Sequence, residues 1–111
     1  IPLQCQYLAM RGVRTLLETA VRVKETLNPD LTLLGVLCTM YRAGSLHAQE
    51  VVDEVRSVFK QQTFRTVIED SEALAEAPVA RQSVLQYAPH DPAAQAYRAL
   101  AQEIIHERNP A

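Results

Sequence analysis

The three glycines of the chain, Gly12, Gly35 and Gly44, stand alone. A phosphate cradle needs several backbone N–H groups turned to one point, usually beside a lysine. No stretch of this sequence supplies both. There is no nucleophile elbow, and no cysteine and histidine stand together for thiolate chemistry. Cys5 and Cys38 are far apart, in neither metal nor redox spacing. Two such thiols read as inert core residues of a reducing compartment. His47, Glu50 and Glu54 recur at helical spacing and can share a face. A metal there needs a further ligand from elsewhere, such as His90 or His106; the plainer reading is a solvated helix face. Glu69, Asp70, Glu72 and Glu76 place four acids in eight residues with no base among them. They could hold a cation or repel nucleic acid, and as a plain loop they would simply be solvated. Arg11, Arg14 and Arg22 give a basic strip or a solvated face. Met40 and Cys38 read as core, and Tyr87 and Tyr97 as half-buried packing residues with their hydroxyls at the surface.

These side chains need elements to position them. Apolar residues recur at three- and four-residue steps through Val13, Leu16, Leu17, Ala20, Val23 and Leu27, which predicts a helix over 4–27. Asn28-Pro29 stops it. Residues 31–41 are nearly all apolar, the pattern of a strand covered on both faces in a parallel sheet. Arg42-Ala43-Gly44-Ser45 is a turn, and Ser45 is placed to cap a second helix that reaches about Lys60. Its stripe is Ala48, Val51, Val52, Val55, Val58 and Phe59. Residues 64–68 read as a short strand. Residues 71–77 suggest a short helix ended by Pro78, and 84–87 a last short strand. Asp91-Pro92 opens the final helix with a cap and a proline at its first position. Tyr97, Leu100, Ala101, Ile104 and Ile105 form its expected apolar face, and Asn109-Pro110 ends it.

Strand and helix alternate, so the fold class is α/β with a mainly parallel sheet flanked by helices. The 111 residues make one domain at most. With 48% apolar and 22% charged residues the composition is that of an ordinary globular chain, too apolar for disorder. No apolar run approaches the roughly 18 residues of a membrane span. Eleven bases against thirteen acids give a net charge of −2, so no bulk basic field is present. The chain opens on Ile1 rather than Met, and its few strands need neighbours; both suggest a missing upstream part.

Several pieces, in order, resemble the C-terminal half of ParA/Soj-type partition ATPases, relatives of MinD with a deviant phosphate loop. Ile1-Pro2-Leu3-Gln4-Cys5-Gln6-Tyr7-Leu8-Ala9-Met10-Arg11-Gly12 is similar to the family's strand end and helix start. Leu27-Asn28-Pro29-Asp30-Leu31 and Gly35-Val36-Leu37-Cys38-Thr39-Met40-Tyr41 match its next helix end and strand. Val51-Val52-Asp53-Glu54-Val55, Thr66-Val67-Ile68, Leu74-Ala75-Glu76-Ala77-Pro78 and Ala94-Gln95-Ala96-Tyr97-Arg98-Ala99-Leu100-Ala101 follow. The resemblance implies that residues 1–111 are the C-terminal half of one P-loop NTPase-like domain. The whole protein would use ATP and Mg²⁺, form a homodimer, bind DNA non-specifically and answer to a ParB-like partner. It would be cytoplasmic, with nucleoid association and no membrane attachment. The phosphate loop and the metal-binding Asp lie in the other half, so no catalytic or metal residue, and no cofactor, is expected of this chain by itself. Thr39, Met40, Glu69 and Ser71 take adenine-pocket positions by resemblance, and Arg81 a DNA-binding one.

The departures fall on function. The family's Asp and Arg-Thr pair after Thr39-Met40-Tyr41 is replaced by Arg42-Ala43-Gly44-Ser45. Its basic Pro-Arg-Asn-Val-Arg segment is replaced by Glu69-Asp70-Ser71-Glu72-Ala73. Its Gly-Lys is Arg81-Gln82. A degenerate, non-enzymatic module for dimer or partner contacts is therefore the alternative. A MinD-like membrane protein would end in a basic amphipathic helix, whereas Arg98, Glu103, Glu107 and Arg108 mix both signs. Acids facing phosphates oppose binding, so this chain should leave a non-specific duplex DNA column at low salt. Tight, salt-sensitive retention would contradict that.

Overall fold

The computed structural model describes residues 1–6 and 10–107. Three strands, β1 (Pro2–Gln4), β2 (Val36–Tyr41) and β3 (Thr63–Glu69), lie side by side in chain order and run parallel. Parallel neighbours require crossovers. Helix α1 (Met10–Thr26) makes the first, and α2 (Leu46–Phe59) with a 3₁₀ turn at Lys60–Gln62 makes the second. Three helices follow β3: α3 (Glu72–Val79), the single turn α4 (Val84–Tyr87), and α5 (Pro92–Glu107). The fold is thus α/β with a parallel sheet, as the alternation of elements implies.

The start of α1 corrects the sequence reading. Residues 2–4 are a strand, because they pair with Leu37, Cys38 and Thr39 of β2. The helix begins only at Met10. Asn28 then closes the segment as expected: its side chain accepts from the Asp30 N–H at 3.1 Å. Ser45 caps α2, accepting from the Ala48 N–H at 3.2 Å, and Gly44 before it takes φ +85° in the turn.

One core lies between the sheet and α1 and α2. Leu3, Cys5, Val36 and Cys38 point into it from the strands, with Val13 from α1 and Ala48, Val51, Val52 and Val55 from α2. The alternate strand positions differ. Pro2 and Gln4 are exposed, and Leu37 and Thr39 are half-buried. The expectation of a strand covered on both faces is therefore met on one face only. The radius of gyration of 15.2 Å exceeds the roughly 13 Å of a compact domain of this length. A second, smaller cluster joins Ala73, Ala77, Val84, Ala93 and Ala94 of α3, α4 and α5.

The β2–β3 ladder is irregular in two places. Two steps along β2, from Val36 to Cys38, match four along β3, from Thr63 to Val67. The bulged stretch of β3 turns the N–H groups of Arg65 and Thr66 to one acceptor, the carboxylate of Glu103 on α5, at 2.8 and 3.0 Å. The Thr66 hydroxyl donates to it as well, at 2.9 Å. Glu103 is 4% exposed. At the rim, Arg65 pairs with Glu107.

This clamp explains two more corrections. Helix α5 occupies the outer edge of β3, so no edge is free there for a strand at 84–87; the Ser83 side chain instead caps a helical turn, accepting from Gln86 N–H at 3.3 Å. The inward stripe of α5 is also rotated from the expected one. Ala93, Ala94 and Glu103 are buried, while Tyr97 and Ile105 are 37% and 56% exposed. Helix α3 continues past the expected stop, with Pro78 inside its last turn, where a missing N–H removes only one bond. The proposed end of α5 at Asn109-Pro110 lies outside the described residues.

Glu103→Ala would leave two strand N–H groups without their acceptor. The loss of stability in urea should be on the order of 2–3 kcal/mol, seen as a lower midpoint at unchanged slope. A loss below about 0.5 kcal/mol, the range of ordinary surface changes, would contradict the clamp.

Candidate functional site

Open parallel sheets bind ligands outside the carboxyl ends of their strands. Here those ends form one crest. Asp70, just after β3, joins it together: its N–H donates to the Tyr41 carbonyl at 2.8 Å, and its carboxylate accepts from Gln6 Nε2 at 3.0 Å. Arg42 Nη2 stands 3.6 Å from the same oxygen. One acid thereby links the ends of all three strands. Both side chains of the Arg42–Asp70 pair are well exposed, so it fixes geometry more than it stabilises. The Tyr41 hydroxyl donates to Gln49 Oε1 at 2.9 Å, tying the end of β2 to α2.

Thr39 and Met40 lie near the end of β2, Glu69 ends β3, and Ser71 follows it at the start of α3. Thr39 is half-buried, and its hydroxyl reaches toward the Leu3 carbonyl at 3.4 Å. Met40 sits in the second irregularity of the ladder, where three steps along β2 match two along β3. It takes φ +53°, left-handed for a side chain that disfavours it, at a cost of about 1 kcal/mol. It is half-buried rather than part of the core proper. Glu69 is exposed. Ser71 is committed twice: its oxygen caps α3 by accepting from Ala73 N–H at 3.2 Å, and its hydroxyl donates to Asp91 Oδ2 at 3.0 Å. Asp91 in turn caps α5, accepting from Ala93 N–H at 2.8 Å. The starts of both helices thus hang on one serine–aspartate pair beside the crest.

Arg81 does not join these residues. It lies beyond the other end of α3, about 12 Å along the helix axis. It takes φ +57° and closes that helix, with Gln82 N–H donating to the Ala77 carbonyl at 3.0 Å. Glycine is the residue that such a closing position favours. Arg81 therefore stands where the resembled family writes its Gly, and carries its charge from that backbone position.

The other candidates are dispersed. His47, Glu50 and Glu54 are exposed on α2, and among the described residues no three or more His, Cys, Asp and Glu side chains gather into a metal site. Cys5 and Cys38 are fully buried. The hydrogen bond with Cys38 and burial push the Cys5 thiol up, which keeps it protonated and unreactive. Tyr87 is 38% exposed and donates to Glu76 Oε2 at 2.7 Å, and that bond pushes its hydroxyl above the ordinary range. Arg14 and Arg22 are exposed, and the side chain of Arg11 lies outside the described positions. The sequence lacks a glycine-rich loop, and the crest sets the carboxylates of Glu69 and Asp70 beside the Arg42 guanidinium.

Sequence reasoning missed three contacts: the reach of Gln6 to Asp70, the Ser71–Asp91 pair and the clamp of Glu103. The last left a trace, since Glu103 falls on the same stripe as Ala96 and Leu100, three residues past the latter. No family model matches the chain. Among curated proteins it is 45% identical over 105 residues to the chromosome-partitioning ATPase Soj of Thermus thermophilus, covering 95% of this chain and 42% of that protein. It is 36% identical over 110 residues to the chromosome partitioning protein ParA of Myxococcus xanthus, covering 99% and 39%. It is 38% identical over 104 residues to the sporulation initiation inhibitor protein Soj of Bacillus subtilis, covering 94% and 41%.

Arg81→Gly should raise stability by about 0.5–1 kcal/mol, while Arg81→Ala, which keeps a Cβ, should not. Equal effects of the two in thermal melts would contradict the account of that turn. The chain spans about two fifths of the length of these relatives, and over nearly all of its own length it belongs to the ParA/Soj chromosome-partitioning family.

Proposed function

We propose that residues 1–111 are the C-terminal half of a ParA-like nucleotide-binding domain, which walls the base side of an ATP site in a chromosome- or plasmid-partitioning ATPase. The observation that carries this is the crest. Three parallel strand ends are drawn together by Asp70, with Thr39 and Met40 near the end of β2, Glu69 at the end of β3 and Ser71 just after it. Phosphoryl transfer rests on positioned phosphate contacts and metal. The residues that would hold them belong to the upstream part of the whole protein, together with ATP and Mg²⁺. The crest supplies only base contacts, and Arg81 at the end of α3 is a point for DNA.

The whole protein works as a homodimer in the bacterial cytoplasm, on the nucleoid, answering to a ParB-like partner. Its DNA affinity is weakened by Glu69, Asp70 and Glu72. Among the described residues no helix is long and apolar enough to cross a membrane. The acids at 69–72 also favour a second reading, a non-enzymatic ParA-like module that keeps the fold for dimer or partner contacts.

ATP turnover separates the two. The chain of residues 1–111 should show none, and the full-length protein should hydrolyse ATP with Mg²⁺. Genuine turnover by residues 1–111 would contradict the assignment of catalysis upstream. A full-length protein that dimerises without turnover would establish the module instead.

A further inference from the structure

β1 and β3 share no ladder, since β2 lies between them. A side-chain contact nonetheless joins their ends, 64 residues apart in the chain. Gln6 Nε2, just past β1, donates to Asp70 Oδ2, just past β3, at 3.0 Å. The end of β2 is held by the same residue, through the Asp70 N–H on the Tyr41 carbonyl and Arg42 at 3.6 Å from that oxygen. This joint falls where the backbone is irregular. Between Cys38 and Tyr41 three steps of β2 match two of β3, and Met40 takes φ +53° there. A ladder is disrupted at such a point, so the strand ends beyond it need another tie. The tie adds little to folding stability, because the Arg42 and Asp70 side chains and the Gln6 contact are exposed. What it fixes is relative position. Thr39 and Met40 come shortly before the held end of β2, and Glu69 and Ser71 flank Asp70 in the chain.

We infer that Asp70 is a positioning residue: by accepting from Gln6 it sets the relative placement of the three strand ends, and through them the affinity of the whole protein for nucleotide. The inference rests on the reading of the crest as the base wall of an ATP site. An acid in the segment where the resembled family carries bases thus serves as a joint between strands. Its charge and its joint act in opposite directions on a polyanionic ligand. Removing the negative charge by itself favours binding. Removing the joint displaces the wall, and small displacements at a site cost affinity.

Steady-state ATP turnover by the full-length protein with Mg²⁺ reads the two effects apart. Asp70→Ala should raise KM for ATP about tenfold while kcat moves less than about twofold, the split expected when binding alone is lost. Asp70→Asn, whose side-chain oxygen still accepts from Gln6, should bring KM back to the wild-type value or below it. Gln6→Ala should raise KM as well, and the double variant Gln6→Ala with Asp70→Ala no further than Asp70→Ala by itself, as for residues acting as one unit. The urea midpoint of each variant should stay close to that of the wild type, as for ordinary surface changes. A KM that falls or stays level in Asp70→Ala, in a protein that turns over ATP, would overturn the inference and leave the partition reading standing. Asp70→Asn as damaging as Asp70→Ala, or effects of Gln6 and Asp70 that multiply, would overturn it too. A wild-type full-length protein that neither binds nor hydrolyses ATP would refute both.

Discussion

The fold depends most on one buried carboxylate. Glu103 gathers the N–H groups of Arg65 and Thr66 and the Thr66 hydroxyl onto its two oxygens. A buried acid without such partners is costly, and a bulged strand leaves N–H groups that its neighbour cannot take. Each problem resolves the other. The ladder can therefore accommodate the extra residues of β3, and α5 is fixed against the outer edge of the sheet. Charge-assisted bonds of this kind are about twice as strong as neutral ones.

The positions of the crest residues follow from that arrangement. With β3 held, Glu69 lies opposite Tyr41, and Asp70 comes within reach of Tyr41, Arg42 and Gln6. With α5 held, Asp91 at its start meets Ser71 at the start of α3. The crest thus inherits its geometry from a clamp at the far end of α5. Glu69, Asp70 and Asp91 give its surroundings an acidic character, with Arg42 beside them.

Much of this architecture is legible in the sequence, and for physical reasons. Caps at Ser45 and Asp91 are local, needing only a side-chain oxygen and nearby N–H groups. The apolar stripe of α2 is local in the same sense. The resemblance to the ParA/Soj family, carried by several short pieces in order, agrees with relatives 36–45% identical over nearly the whole chain. What failed depends on distant partners. Gln4 read as the start of the first helix because its strand neighbour, Thr39, is 35 residues away. Residues 84–87 read as strand because the sequence does not reveal that α5 already holds the edge of β3. The apolar face of α5 was misplaced because Glu103 looked like a surface acid. At the site, the commitments of Ser71 and the backbone role of Arg81 were not legible, since both arise from helix ends that only folding brings into place.

A double-mutant cycle between Glu103→Gln and Thr66→Val, measured by urea unfolding, tests the clamp most directly. An amide at 103 keeps the shape and loses one acceptor and the charge, while valine at 66 removes the hydroxyl. The account predicts coupling of about 0.5–3 kcal/mol, the range for residues sharing one network. Losses that add to within about 0.3 kcal/mol would show that the two side chains act independently, and that α5 is held to the sheet by something else.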